Sequence, residues 1–433
     1  MSSKLPPKPK HDHNPLDFPE GFLWGAATSS HQVEGNNTQN DWWAWENSHQ
    51  PAEKRSAAAD DQYHLFEEDF ALIKSLGHNA HRLSIEWSRI EPEEGVFSAE
   101  AIAHYQQVLK SLKSKGIKVM LTLHHFTNPH WLAHIGGWEN FKTPGLFERY
   151  VRKIVPELAE YVDLWVTINE PGVYTFMSYL NGLWPPQKKS NLAAMKVNVN
   201  LARAHKKAYN AIHELVKDAQ VGIAHNVLTF NAYHHHSFLE MFFQFGLDTG
   251  SNHLFYKLTT LGTHDFIGIN YYFNEYISSV GQAKFPSIVD IVTTKKAVTD
   301  LGWEIYPEGM FEILMDFSDY KKPIYITENG LASTNDDRRC RFLISYLQEI
   351  YHAISSGVDI RGYFHWSLLD NFEWADGFTP RFGLIEVDYK TQKRTPRLSA
   401  LVYQKIIENN GIPHELMKFL GHSVNAKDVL KTL

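Results

Sequence analysis

Residues 164–170 read LWVTINE, and Pro171 follows directly. The run is almost continuously apolar until it reaches the amide of Asn169 and the carboxylate of Glu170, a pattern typical of a parallel strand that is covered on both faces. Pro171 lacks the N–H that a continuing strand would need, so the strand must end there. The stretch therefore predicts a buried parallel strand with a carboxylate at its C-terminal tip.

Similar apolar runs recur at 22–29, 80–85, 118–125, 221–227, 266–272, 323–330 and 360–370. Helical patterns lie between them, at 59–77, 99–116, 145–162, 201–216 and 340–357. Eight strand–helix units in series predict an α/β fold, a single (β/α)8 TIM barrel. A doubly wound open sheet is the alternative, but it would leave too many units, and the chain has no glycine-rich phosphate turn.

The composition is that of an ordinary globular protein, with 433 residues, 43% hydrophobic and 21% charged. The net charge of −7 and the scattered Lys and Arg argue against nucleic-acid and membrane partners. Cys340 is the only cysteine, which suits a reducing cytoplasm. Residues 1–15 lack the apolar core of a signal peptide and predict a disordered tail before a catalytic domain at 16–433. We therefore expect a cytoplasmic protein, whose oligomeric state the sequence does not reveal.

The C-terminal tips of the predicted strands carry polar and aromatic residues. They are Gln32, Glu34, Arg82, His124, His125, Asn169, Glu170, Asn226, Asn270, Tyr272, Glu328, Asn329 and Trp366. Solubility alone could account for polar tips, but Lys and Ser would serve that purpose. Because all the tips of a barrel converge on one cleft, we interpret this set as a site.

Two of these tips carry carboxylates, Glu170 on predicted strand 4 and Glu328 on predicted strand 7. Strands 4 and 7 lie on opposite sides of an eight-membered ring, so the two side chains can face one another. Facing carboxylates meet the requirement of glycoside hydrolysis for one protonated and one ionised acid. Two purely structural carboxylates are the alternative that the spacing leaves open.

Four long motifs resemble those of the family 1 glycoside hydrolases, the β-glucosidase and β-galactosidase group. They are FLWGAATSSHQVEG (22–35), TINEP (167–171), YITENG (325–330) and WSLLDNFEWADGFTPRFGL (366–384). The resemblance runs from about Phe18 to Tyr403. It implies a (β/α)8 barrel and a retaining β-glycosidase, most simply a β-glucosidase that removes terminal non-reducing β-D-glucosyl residues, with galactosyl and fucosyl residues as further substrates. The partners expected are small β-glycosides or short oligosaccharides, with no cofactor.

The resemblance also implies catalytic roles. Glu328 matches the nucleophile that forms the covalent glycosyl–enzyme intermediate, and Glu170 matches the acid/base. Arg82 matches the arginine beside the nucleophile, where a cation favours the ionised carboxylate. Tyr272 matches the tyrosine that orients the nucleophile, and Asn169 matches the amide that holds the sugar 2-OH. The pKa of Glu170 is expected to be raised while Glu328 is charged, and to fall once Glu328 is esterified.

A substrate-binding set follows from the same motifs and strand tips. It consists of Gln32, His125, Asn270, Trp303, Trp366, Glu373, Trp374 and Phe382. The aromatic members suit the apolar faces of a sugar ring. An anion at Glu373 would repel a phosphate group, so unphosphorylated glycosides are expected.

The chain departs from the family pattern at His125-Phe126, where the family commonly has His-Trp. The segments 228–262 and 273–302 also differ, and the sequence leaves open whether they are ordered. Two other functions are weighed: a catalytically silent sugar-binding barrel, and a metal-dependent TIM-barrel hydrolase using His124, His125 and the run His234–His236. No metal is expected, because adjacent histidines point different ways and no acidic ligand pattern follows them.

Overall fold

The computed structural model describes residues 16–234, 236–279, 290–292 and 297–420. Eight parallel strands close into a barrel, with each strand paired to its neighbours in chain order and the last paired to the first. We number them β1 (Leu23–Ala27), β2 (Ala80–Ser84), β3 (Lys118–Thr122), β4 (Leu164–Asn169), β5 (Val221–Ala232), β6 (Ile267–Ser278), β7 (Ile324–Asn329) and β8 (Ile360–Trp366). The predicted (β/α)8 barrel and its eight strands are confirmed.

Helices surround the barrel. The longer ones are Asp41–His49, Gln62–Ser75, Ala99–Ser114, Thr143–Leu158, Asn191–Leu215, Phe238–Asp248, Pro307–Phe317, Asp336–Ser355 and Leu398–Glu408. The shorter ones are Ser30–Val33, Trp87–Ile90, His130–His134, Pro171–Thr175 and Leu254–Thr259. The five predicted helices are all present, and the one predicted at 201–216 begins ten residues earlier, at Asn191, where Ser190 caps its N-terminus.

Two apolar layers stabilise the barrel. The inner layer fills the lumen with side chains from the strands, including Met120, Leu164, Val166 and Phe364. The outer layer lies between the strands and the surrounding helices. Close packing in the wall requires glycine at Gly268, since a Cβ there would lie 2.4 Å from the carbonyl oxygen of Ile223.

The chain ends meet at the opposite end of the barrel from the strand tips. Leu16–Asp17 pairs with Gly411–Ile412 in a two-stranded antiparallel sheet, so the described chain closes on itself. The boundary between a tail at 1–15 and a domain at 16–433 stays a prediction, because residues 1–15 and 421–433 lie outside the described part. Among the described helices, none has the length and hydropathy to cross a bilayer.

The strands β5 and β6 run well beyond their predicted ends and pair as far as Ala232 and Ile277. This two-stranded extension rises above the barrel rim and carries the helix Phe238–Asp248, which we call the rim helix. The described residues of 228–262 thus form the extension, the rim helix and the helix Leu254–Thr259. Of 273–302, residues 280–289 and 293–296 lie outside the described part, and the strand Asp290–Val292 pairs with the end of β6.

Candidate active site

The site begins where β4 ends. Asn169 is the last residue of the strand, and Glu170 adopts a left-handed backbone conformation with φ 42° before Pro171 opens a short helix. A left-handed conformation costs a non-glycine residue about 1–3 kcal/mol and is found where the surroundings enforce it. Here the N–H of Glu170 donates to the carbonyl of Ala224 on β5, at 2.7 Å. The turn places the Glu170 carboxyl at the mouth of the barrel, 7% exposed.

Glu328 stands at the tip of β7 and is held at both oxygens. Arg82 Nη1 donates to Oε1 at 2.5 Å, and the Tyr272 hydroxyl donates to Oε2 at 2.6 Å. Burial and the charge of Glu328 raise the pKa of Tyr272 well above its usual range, so its hydroxyl stays protonated and remains a donor. All three side chains are buried. The contacts fix the Glu328 carboxylate in one orientation.

A chain of hydrogen bonds joins Glu328 to Glu170. Arg82 Nη2 donates to Asn169 Oδ1 at 2.5 Å, and Asn270 Nδ2 donates to the same oxygen at 3.3 Å and to Glu170 Oε1 at 2.8 Å. The structure thus brings the five predicted catalytic residues into one network. Asn270, predicted to bind substrate, also contacts its protein neighbours, because its oxygen accepts from Thr327 Oγ1 at 2.6 Å. Its position is that of a residue that orients Glu170.

The electrostatics of the network separate the two carboxyls. Burial, and then the charge of Glu328, raise the pKa of Glu170 from 4.5 to about 8. Hydrogen bonds from Asn270 and Asn226 and the charge of Arg82 oppose this rise. Asn226, one of the strand tips to which the sequence analysis assigned no specific role, is thus a second amide acting on Glu170. At neutral pH the Glu170 carboxyl carries a proton beside an ion-paired Glu328, the arrangement that a general acid and a nucleophile need.

Polar groups line the end of the pocket beside β1 and β8. Gln32 is fully buried and donates through Nε2 to the Phe372 carbonyl at 2.8 Å and to Glu373 Oε2 at 3.4 Å. His125 Nε2 lies 3.3 Å from Asn169 Nδ2, and burial with the charge of Arg82 lowers the pKa of His125 well below its ordinary value. His125 is therefore neutral and offers both a donor and an acceptor to a hydroxyl group.

The sequence analysis expected the Glu373 carboxyl to be an anion, and its surroundings in the structure favour the neutral form instead. Burial raises its pKa to about 8, and the nearby carboxylates of Asp376, Glu328 and Glu170 add to the rise. A neutral carboxyl does not repel phosphate as an anion does. It can donate and accept hydrogen bonds with sugar hydroxyls, and no cation near it contributes to its pKa.

Aromatic side chains form one wall around Trp374. The ring of His125 is stacked parallel to those of Trp366 and Trp374, with centroids 6.1 and 6.2 Å away. Phe126 packs edge-on against Trp374 at 5.2 Å, and its backbone is left-handed with φ 70°. Phe126 thus occupies the wall where the family pattern has tryptophan. The sequence analysis missed three aromatic members of this wall because they lie in helices or loops between the strands rather than at strand tips: His31, Trp42 and Trp184.

A second aromatic wall faces the opening. The half-buried ring of Trp303 packs against Tyr272, Phe273 and Phe382, with centroids 5.8, 5.1 and 6.2 Å away. The structure therefore brings Trp303 and Phe382, which were predicted from distant motifs, to the nucleophile side of the cleft. Phe273, the residue after Tyr272, was not predicted.

The comparisons with known proteins agree with this geometry. The sequence pattern of Glycosyl hydrolase family 1 matches residues 14–239 and 256–412.

This chain belongs to glycosyl hydrolase family 1.

Relatives of this family 1 glycoside hydrolase include proteins named as a β-glucosidase and as a β-galactosidase. Beta-glucosidase A of Thermotoga maritima is 32% identical over 447 residues, which cover 92% of this chain and 99% of the relative. A Beta-galactosidase of Pyrococcus woesei is 31% identical, with 92% and 98% covered. The solved structure of the beta-glycosidase from Pyrococcus horikoshii has a TM-score of 0.89 and 39% identity, and the match covers 95% of this chain and 99% of that one.

The metal-dependent alternative finds no support in the histidines that suggested it. In this family 1 glycoside hydrolase, His124 contacts Asn128 and His234 contacts Glu240, while residue 235 lies outside the described part. Among the described residues, one other cluster brings three potential ligand atoms within 4.8 Å of one another: Asp248, His253 and Asp316. Burial opposes charge on this histidine, but the two carboxylates raise the pKa of His253 to about 9.

Proposed function

We propose that this glycoside hydrolase is a retaining β-glycosidase that removes terminal non-reducing β-D-glucosyl residues, and galactosyl and fucosyl residues as further substrates. One observation carries the proposal: a Glu170 carboxyl with a raised pKa shares a hydrogen-bond network with an ion-paired Glu328 across the barrel mouth. The two carboxyls have the complementary charge states that double displacement requires.

In the first step, Glu328 attacks the anomeric carbon on the face opposite the leaving group. The bond from that carbon to the leaving oxygen breaks, and Glu170 gives its proton to the departing oxygen. The Glu328 ester has no charge, so the pKa of Glu170 falls and its carboxyl becomes a base. In the second step, water adds to the anomeric carbon, Glu170 takes the water proton, and Glu328 is released as a carboxylate.

The residues next to the two carboxyls orient the reacting groups and take no part in proton transfer or bond formation. Arg82 and Tyr272 aim the Glu328 oxygens and favour their charged form, because both donate to it. Asn169 keeps its Oδ1 bonded to Arg82, so its Nδ2 is the atom that can turn from His125 toward a sugar 2-OH. A hydrogen bond to the 2-OH strengthens in the transition state.

The pocket favours an unphosphorylated glycone. Gln32 and Glu373 supply amide and carboxyl groups that match hydroxyls, and Trp366 and Trp374 supply flat apolar surfaces. Arg82 is a nearby cation, but it is already paired with Glu328. Because the Glu373 carboxyl is neutral, it does not repel phosphate. The preference for an unphosphorylated glycone therefore comes from the lack of an available cation in the described pocket. Sugars that differ at a single hydroxyl meet the same groups, which agrees with the two activities named among the relatives.

A panel of 4-nitrophenyl glycosides tests the function. We expect cleavage of the β-glucoside, with slower cleavage of the β-galactoside and β-fucoside, and none of the α-glucoside. Proton NMR of the first turnovers should show the β-anomer as the initial product. Cleavage of α-linked substrates alone, or an α-anomer as the first product, would contradict the proposal.

The variant Glu328→Gln distinguishes a working enzyme from a silent sugar-binding barrel. Turnover should fall by at least about 10⁴-fold, since the nucleophile is lost, while the affinity for glucose is kept. The control Glu53→Gln removes an exposed carboxylate and should leave turnover unchanged. Wild-type protein that binds glucose but cleaves none of the panel would support the silent barrel.

A further inference from the structure

The rim helix presents its apolar side to solvent. Phe238, Phe242 and Phe245 are 85%, 64% and 70% exposed, and Leu239 and Met241 beside them are exposed as well. Phe238, Met241, Phe242 and Phe245 follow the spacing i, i+3, i+4, i+7, so they form one stripe along the helix. An ordinary surface helix turns such a stripe toward the core. We call these four side chains, together with the adjacent Leu239, the phenylalanine stripe.

The side of the rim helix that faces the protein carries a buried carboxylate among half-buried side chains. Glu240 is fully buried, and its carboxylate accepts from the backbone N–H groups of His234 and Ser279, at 2.7 and 2.6 Å, and from the Ser279 hydroxyl at 2.8 Å. His234 Nδ1 lies 2.8 Å from the same carboxylate. These contacts tie the first turn of the helix to the ends of β5 and β6. The orientation of the helix is thus set by a specific polar anchor.

A second anchor fixes the other end. Asp248, the last residue of the rim helix, lies 3.6 Å from His253 Nε2, and Asp316 lies 2.9 Å from the same nitrogen. His253 Nδ1 contacts the Tyr320 hydroxyl at 2.6 Å. Because this imidazole is charged, it links the end of the rim helix to the helix Pro307–Phe317 by two ion pairs. The phenylalanine stripe is therefore held outward on a rigid support.

Most of the rim helix lies outside the conserved family pattern, which matches residues 14–239 and 256–412. A helix that is anchored at both ends and exposes its phenylalanines needs a reason of its own. Contiguous exposed apolar patches commonly mark interaction sites.

The size and charge of the stripe indicate the partner. An aromatic side chain has roughly 200 Å² of surface, so the five exposed side chains together offer roughly 500 Å². A stable protein dimer buries about 800 Å² on each partner, so this stripe alone is too small for a second copy of the chain. The stripe contains no charged side chain, and the protein carries a net charge of −7, which disfavours an anionic partner.

We propose that the phenylalanine stripe docks the protein reversibly on a neutral lipid surface. Aromatic side chains on one face of a helix can insert into the boundary between headgroups and acyl chains, while the helix lies in the plane of the surface. The rim helix packs on the outer ends of β5 and β6, at the same end of the barrel as Tyr272. Docking therefore brings the cleft end of the barrel toward the lipid. This replaces the sequence-based expectation of no membrane partner.

Flotation with phosphatidylcholine vesicles tests the proposal on the full chain. We expect the wild-type protein to float, and the variant F238S/F242S/F245S to lose at least about tenfold in its bound fraction. Binding should not weaken between low salt and 0.5 M salt, since it does not depend on charge. Cleavage of 4-nitrophenyl β-glucoside by the variant should equal that of the wild type, which shows that the variant is folded.

The matched control is V96S/F141S/L215S, which removes three exposed apolar side chains from other elements, including Phe141, which is 70% exposed. It should float like the wild type. The proposal is overturned if the wild type does not float, if both triple variants lose binding equally, or if binding requires phosphatidylserine and disappears in salt. It is also overturned if light scattering shows a wild-type dimer that F238S/F242S/F245S alone abolishes, without any vesicle binding.

Discussion

The pKa of Glu170 offers a quantitative prediction, and the perturbation is Glu328→Gln. The pKa rises from 4.5 to about 8, with burial as the larger cause and the Glu328 charge as the second. At about 1.4 kcal/mol per pKa unit, the whole pKa shift favours the protonated Glu170 carboxyl by about 5 kcal/mol. Two charges about 5 Å apart, the retaining geometry, interact by about 3 kcal/mol at an effective dielectric constant of 20, or about two pH units.

Removing the Glu328 charge should therefore lower the pKa of Glu170 by one to two pH units, to between about 6 and 7. Arg82 adds to the fall, because it loses its partner and its charge then acts on Glu170 alone. Burial persists, so the pKa should not return to 4.5. A smaller drop than one pH unit would mean that the two carboxyls lie farther apart than the retaining mechanism allows.

The assay is a carbon NMR titration of protein labelled at the glutamate carboxyl carbon, with Glu170→Gln used to assign the signal. In the wild type, kcat/KM for 4-nitrophenyl β-glucoside should also fall as the pH rises through about 8, because the acid must be protonated in the free enzyme. The control Glu53→Gln removes a charge at an exposed position and should leave the pKa of Glu170 unchanged. A wild-type pKa near 4.5, or no change in Glu328→Gln, refutes the reasoning.

Four further outcomes follow from the site. Tyr272→Phe should lower kcat by roughly 10- to 100-fold, the loss of one hydrogen bond to a charged group, with an unchanged melting temperature; equal kcat would remove the hydroxyl from the mechanism. Arg82→Met should lower the free energy of unfolding by about 3 kcal/mol, because it leaves Glu328 buried without its partner; chemical denaturation measures it, and an unchanged midpoint would show that the pair is not needed for stability. At pH 6, Glu373→Gln should keep more affinity for glucose than Glu373→Ala, since the native carboxyl is neutral there; equal losses in calorimetry would contradict this. Dialysis against a strong chelator should leave activity unchanged, and activity restored only by a metal would contradict the two-carboxylate mechanism.

The sequence predicted the barrel because its signals are periodic. Continuous apolar runs and amphipathic helices depend on burial, which a sequence records directly. The helix Pro307–Phe317 was missed because it is mostly apolar, with nine of its eleven residues buried or half-buried and only Glu308 and Asp316 exposed, so the polar side that marks an amphipathic helix is narrow. The extension of β5 to Ala232 was missed because it pairs only with β6 above the rim, outside the barrel pattern.

The site was predictable in its residues but not in its geometry. Glu170 and Glu328 could be named from strand ends and motifs, whereas the left-handed backbone at Glu170 depends on β5 and leaves no local signal. The neutral state of Glu373 depends on burial and on neighbours that are far apart in sequence, so its charge was predicted wrongly. The orientation of the rim helix could not be predicted, since helical spacing does not show which side faces the protein.

The most direct test of the account is to trap the intermediate with 2,4-dinitrophenyl 2-deoxy-2-fluoro-β-glucoside. Mass spectrometry of the intact protein should show one added fluoroglucosyl group, and peptide mapping should place it on Glu328, with activity recovering as the ester hydrolyses. A label on Glu170 or Glu373, or inactivation without any covalent mass, would contradict the assignment of Glu328 as the nucleophile.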